Sequence, residues 1–375
     1  MVLKSGEGFI MVESSDGGSL PFTGDFERFS KGALLYERSG NDSTEFFERK
    51  TVDSLLDKMR AGIDVPNFPQ YRDMNQMFLE MIEGIEKING GYIETAPLTV
   101  KDGKSLIPEV LAVKNHSKEI SKKLGRPFKL RVCITGPCTL SSLFAYRDKG
   151  TFTRLANVLS KIVEHNIFKN KHGDVSLIAL EEPVFGLIDD PLLDRGSEAR
   201  ENLLKAWESI FQKASSKNVT TSLHLHNTSD ELFWEAKALS VIESHVNDYL
   251  YQAKRTKELL ESRDKFLKAS VATTDFDQLI REGVVASSQQ KLSETAINEK
   301  IAEAWKSITD RKLEPTTFLE NVDLMRNRLV KIVERFGENR VLYSGPECGL
   351  KGFPTYECAL ECLRRVSKAT KDIGK

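Results

Sequence analysis

The chain is short of several things that would have placed it early. Its 375 residues contain no apolar run near the ~18 residues that a membrane helix needs. The opening stretch, MVLKSGEGFIMVESSDGG, lacks the basic-then-apolar pattern of a secretory leader. Positive charge is not in excess: 54 Lys and Arg stand against 55 Asp and Glu, a net charge of −1. That balance argues against nucleic acid as the main partner, because a polyanion selects a basic face. Cysteines are few and odd in number, five, with no regular spacing. Without a disulfide framework, reduced thiols and a cytoplasmic location are expected. No G-x-G-x-x-G follows an apolar run and no G-x-x-x-x-G-K-[ST] occurs, so neither phosphate-cradling loop supports nucleotide binding. Internal repeats, low-complexity tracts and blocks of like charge are also missing.

What is present is alternation. Short β-branched runs fall near Gly91–Glu94, Leu130–Thr135, Val175–Glu181, Val219–His226, Leu239–Glu243, Gly283–Ala286 and Arg340–Ser344, with an eighth just before Gly18–Ser19. Between them lie helical patterns such as Leu155–Phe168, Arg200–Ala214 and Thr317–Phe336. Strands alternating with helices imply a parallel sheet. Eight such units predict a single-domain α/β protein, a (β/α)8 TIM barrel over residues 1–375. An open doubly wound sheet is the alternative. Tyr249–Lys268 reads as one charged helix lengthening a βα connection, either a solvated face or a lid or docking surface. In such a barrel the chemistry lies at the C-terminal ends of the strands.

Four features sit at those ends. His224 and His226, in LHLHN, are two apart on a strand and share one face. They are either metal ligands or a hydrogen-bonded pair. Glu243 ends the next strand, and a buried carboxylate needs a metal, a salt bridge or a helix cap. Cys348, in SGPECGLKG, follows the last strand on a tight turn, and a thiolate there would complete a mixed N/O/S set suited to zinc. Glu181 and Glu182 end a fourth strand before Pro183, where one carboxylate could take a substrate ammonium or both could form an acidic rim. Of the other cysteines, Cys358 and Cys362 read as structural on one helix face, Cys133 as core, and Cys138 as a further candidate at the mouth.

In this order, the motifs resemble the catalytic C-terminal barrel of cobalamin-independent methionine synthases, in a short, archaeal-type core form. GPECGLKGFPTYECALECL is similar to that family's PDCGLK motif and the helix after it. LHLHN resembles its H-x-C zinc motif, and SVIES the strand bearing its zinc Glu. ALEEP resembles its DEP, TGPCT its TGP-x-T, GGSLPFTGDF its GSFP, and FPQYRDMNQMF its Asp-Met stretch.

The resemblance implies a zinc-dependent methyltransferase that converts homocysteine to methionine. His224, Glu243 and Cys348 would be zinc ligands, with His226 in place of the family's Cys. Ser19 would hold the amino-acid carboxylate and Glu181 the ammonium. Phe68 aligns where the family has a substrate-binding Glu, which keeps another thiol, such as coenzyme M, in view. With one barrel and no folate-supporting one, the implied methyl donor is methylcobalamin or a methylated corrinoid protein. A non-catalytic barrel that binds a corrinoid or a partner protein is the contrasting expectation.

Overall fold

Among the described residues there are ten strands: β1 (Glu13–Ser14), β2 (Ile82–Ile88), β3 (Gly91–Val100), β4 (Phe128–Thr135), β5 (Lys169–Asn170), β6 (Gly173–Glu182), β7 (Thr220–Leu225), β8 (Val241–Glu243), β9 (Phe266–Ala272) and β10 (Val341–Pro346). The structure is a computed structural model and describes residues 11–36, 40–288 and 290–373. The opening residues 1–10, whose sequence bears on a leader, lie outside the described residues. Seven strands form one curled parallel sheet in the order β1-β10-β9-β8-β7-β6-β4, with β5 pairing back on β6.

Residues 65–70 fill the eighth place. They make parallel bridges to the β1 side at Ser15↔Val65 and Ser19↔Gln70, and to β4 at Asn67↔Arg131. Backbone hydrogen bonds run from Val65 to Ser14 and from Arg131 to Pro66. Pro66 and Pro69 lack N–H donors, so this segment carries scattered bridges where its neighbours carry a ladder. The ring is thereby the expected (β/α)8 barrel.

Its base is plugged by Val65, Leu177, Val241 and Tyr343. These come from residues 65–70, β6, β8 and β10, alternate positions around the ring, as layered packing of a barrel interior requires. Leu223 and Leu225 of β7 point the other way, into the large core between sheet and helices. The outer helices present apolar stripes to that core. Glu198–Ser215 buries Leu203, Trp207, Ile210 and Phe211, and Ser197 caps it by accepting from the Arg200 N–H. Among the described residues no helix is long and apolar enough to cross a membrane.

Three sequence expectations are corrected. Gly91–Glu94 does form strand, but in an antiparallel β2–β3 hairpin outside the ring. Gly283–Ala286 lies inside the helix Phe276–Ser287, where Asp275 supplies an N-cap and Phe276, Leu279 and Ile280 face inward. Val285 is 52% exposed there, so its β-branching was a surface choice and not a strand signal. Tyr249–Lys268 is two short helices, Tyr249–Gln252 and Arg255–Ser262, followed by the start of β9. That strand was disguised by Lys268, which is buried because Glu243 lies 3.0 Å from its ammonium.

Candidate metal centre

The parallel register lines up the ends of three strands with the interior of a fourth. Glu181 of β6 is level with His224 of β7, His224 with Glu243 of β8, and Glu243 with Lys268 of β9. Side chains alternate along each strand, so His226 follows His224 on the inner face, and His245 follows Glu243. Cys348 reaches the same mouth from the turn after β10. The ligand atoms of His224, His226, His245 and Cys348 all lie within 4.8 Å of one another. The Cys348 Sγ is 3.8 Å from His226 Nε2. The His226 and His245 rings are 4.1 Å apart between centroids.

This donor set fits zinc. Tetrahedral Zn–N and Zn–S bonds of normal length give ligand–ligand edges of about 3.3–3.8 Å; here the Cys348–His226 edge is 3.8 Å and no edge of the set exceeds 4.8 Å. The Nε2 atoms of His224 and His245 are buried and have no hydrogen-bond partner. Buried polar atoms are normally satisfied, so two unpartnered nitrogens within one cluster suit an acceptor of lone pairs such as a metal ion. Imidazole and thiolate together favour zinc over the hard cations.

Protonation points the same way for the imidazoles. Burial, reinforced by the neighbouring His224, pushes His226 down to about 4. Burial and then His226 and His224 push His245 down to about 3. Both rings are therefore neutral near pH 7, with lone pairs available. The thiol is the opposite case: burial, then Glu181, pushes Cys348 up to about 11. A metal must displace that proton to bind.

Around the cluster runs a buried charge network. Arg131 on β4 is 0% exposed and reaches both Glu181, at 2.9 Å, and Glu243, at 2.8 Å. Lys268 also pairs with Glu243, and Ser222 Oγ donates to it. Burial alone would raise the Glu243 carboxyl, but Arg131 and then Lys268 hold it well below the ordinary carboxylate range. The other oxygen of Glu181 sits 2.5 Å from His224 Nδ1. That contact leaves His224 Nε2 as the free nitrogen facing the cluster. Burial raises Glu181, but His224 and Arg131 outweigh it and keep it lowered.

The structure thus brings together His224, His226 and Cys348 from the expected ligands. Glu243, level with His224, is not among the clustered ligand atoms, its oxygens engaged by Arg131, Lys268 and Ser222. His245 joins the cluster as a member that the sequence pattern did not single out, although SVIESH carries the same two-residue spacing as H-x-H. Ser19 lies against the Cys348 turn: its carbonyl accepts from Leu350, and a Cβ on Gly349 would fall 2.0 Å from its hydroxyl. Asn67 points inward, donating to Cys133 Sγ, so the next residue, Phe68, points outward into the core and does not line the mouth. Glu182 is sequestered as well. It accepts from the Cys138 and Thr139 amides, the Thr139 hydroxyl and Trp207 Nε1. Cys138 is buried beneath that cap and Cys133, Cys358 and Cys362 are buried in the core.

No family model matches the chain. Similarity to named proteins does exist. A methionine synthase of Methanocaldococcus jannaschii is 22% identical over 322 residues, 85% of this chain and 86% of that protein. A methionine synthase of Sulfolobus acidocaldarius is 25% identical over 191 residues, 49% of this chain and about half, 52%, of its own length. Among solved structures, a B12-independent methionine synthase from Shewanella sp. W3-18-1 in complex with selenomethionine superposes with a TM-score of 0.63. Its identity is 14%, and the match covers 97% of this chain and 98% of that one. The barrel fold is therefore shared with that enzyme.

Proposed function

We propose that this chain is a zinc-dependent methyltransferase that moves a methyl group onto the thiol of homocysteine, forming methionine. The observation that carries the reading is the convergence of three imidazoles and one thiol at the barrel mouth, with two buried nitrogens lacking partners. The similarity to methionine synthases supports the same reaction class. His224, His226, His245 and Cys348 would hold the metal. Glu243, engaged by Arg131, Lys268 and Ser222, would support the set from the His224 level without joining it. A zinc ion in this place supplies Lewis acidity that lowers the pKa of a thiol.

The chain's own residues do the rest. Glu181 fixes the His224 ring through Nδ1, and Arg131 fixes Glu181. The Gly17–Ser19 segment backs the Cys348 turn: a Cβ on Gly17 would lie 2.9 Å from the Cys348 carbonyl carbon. Ser19, half-buried beside that turn, would hold the substrate carboxylate. In the transfer, a sulfur–methyl bond forms, the donor–methyl bond breaks, and the thiol proton leaves to solvent. The donor we propose is methylcobalamin or a methylated corrinoid protein, and all of residues 1–375 are read as one catalytic unit.

One observation favours a second acceptor. Both oxygens of Glu181 are already engaged, one by Arg131 and one by His224. A thiol without an ammonium, such as coenzyme M, would need no carboxylate there. Zinc-edge X-ray absorption with each thiol separates the two readings. With homocysteine as acceptor, one sulfur neighbour near 2.3 Å is gained on adding it. Gain with the amine-free thiol alone names the second acceptor. Absence of zinc uptake by the purified protein overturns both.

A further inference from the structure

We propose that Glu347 is a positioning residue that sets the separation of His245 and Cys348. The inference rests on the metal reading above and adds a residue to it. Glu347 precedes Cys348 on the turn after β10 and is 6% exposed. One carboxylate oxygen accepts from the Val246 amide, at 2.8 Å, and Val246 follows His245. The other accepts from the Thr274 amide, also at 2.8 Å, on the loop after β9. Its own N–H donates to Ala272 O at 3.0 Å. One side chain therefore ties together the loops that follow β8, β9 and β10.

Topology makes this tie matter. β8 and β10 are not neighbours, because β9 lies between them. No ladder hydrogen bond spans the two ligand-bearing loops, and the Glu347 carboxylate crosses that gap. Beneath it, Lys268 Nζ donates to Pro346 O at 3.0 Å and pairs with Glu243, steadying the strand end from which the turn departs. The two amides demand two acceptors. A carboxylate supplies both, whereas a Gln would turn its NH2 toward one buried N–H. Alternation along the chain points Glu347 into the loops while Cys348 points to the cluster. Changing Glu347 therefore moves ligands without touching a ligand.

The test compares Glu347→Gln with Glu320→Gln. Glu320 accepts from the Thr273 amide at 2.8 Å and pairs with Arg328 at 2.6 Å, but contacts neither the His245 nor the Cys348 loop. Zinc affinity is measured by chelator competition, the absorption spectrum with Co2+ as probe, and the melting temperature on metal-free protein. The expected result is a loss of zinc affinity of about tenfold or more in Glu347→Gln, as for other groups that orient metal ligands. The cobalt spectrum should lose its four-coordinate signature. Glu320→Gln should keep wild-type affinity and spectrum whatever its melting temperature. A loss smaller than tenfold, or an equal loss in Glu320→Gln, overturns the proposal. If Glu347→Gln does not fold, Glu347→Asp carries the test by the same criteria, since it keeps both acceptors but is shorter by one methylene. A wild-type protein that binds neither zinc nor cobalt overturns the metal reading itself, a result distinguishable from the others.

Discussion

At the scale of single residues, the contact between Glu181 and His224 decides which nitrogen is offered to the cluster. On the zinc reading proposed above, removing a ligand is the coarser perturbation: Cys348→Ala and His224→Ala should each lower zinc content, read by metal analysis, and abolish methyl transfer. Glu181→Gln should retain the fold and lose zinc affinity by ~10–100-fold, the usual cost of losing a group that orients a ligand. Acid stability follows from the imidazoles. His226 and His245 are pushed down to about 4 and about 3 by burial, reinforced at His226 by His224 and at His245 by His226 and His224. Between those values and the ordinary ~6.5, the unfolded chain binds protons that the folded chain refuses, so stability rises with pH across that window. Denaturant midpoints of metal-free protein should therefore fall from pH 7 to pH 4.5, and less steeply in a His226→Asn/His245→Asn double variant. The H-x-H spacing was legible because period-2 alternation needs no tertiary knowledge. His245 obeyed the same rule but hid beside Glu243, whose charge drew attention first. That charge is cancelled by Arg131 and Lys268, which are distant in sequence, so no local pattern announced it.

At the scale of elements, strand β9 and residues 65–70 show where pattern reading stops. FLKASVA contains a lysine that only a buried acid makes tolerable, and VPNFPQ contains two prolines that remove ladder donors. The remaining ring strands, β4, β6, β7, β8, β10 and the short β1, were legible because their apolar runs end in turn residues. The same is true of the helix beginning at Tyr356, whose cap Thr355 accepts from the Cys358 amide. The turn after β10 is sensitive to crowding. A methyl on Gly17 would meet the Cys348 carbonyl carbon and the Gly349 nitrogen, both at 2.9 Å. Both are backbone atoms and cannot rotate away. Gly17→Ala should cost ~1–3 kcal/mol, typical of overpacking, and should also weaken zinc binding because the displaced atoms carry Cys348. Chemical denaturation and chelator competition on one variant test both effects.

At the scale of the whole molecule, the barrel interior is an apolar plug beneath a compensated set of charges. Arg131 serves two acids at once, and Lys58, buried at 0% exposure, pairs with Asp16 at 2.7 Å below the Gly17–Ser19 segment. Replacing Arg131 with Met leaves Glu181 and Glu243 short of a cation. Breaking a buried pair in this way typically costs ~3–5 kcal/mol. Urea unfolding should report that loss even in metal-free protein, which separates it from the effects of ligand variants. The alternation of strand and helix patterns made the overall barrel legible, whereas the pairing of its charges was not.

The bridges that complete the ring have a kinetic consequence. Residues 65–70 are held to their neighbours by few backbone hydrogen bonds, where the other strands have continuous ladders. A ring of staves with one loosely nailed stave parts at that stave first. Amide hydrogens of Val65, Phe68 and Gln70 should exchange with deuterium sooner than those of β6 and β7 under native conditions. That opening would lie next to Gly17–Ser19 and the turn that carries Cys348, so breathing of the barrel would be felt at the mouth before it is felt anywhere else.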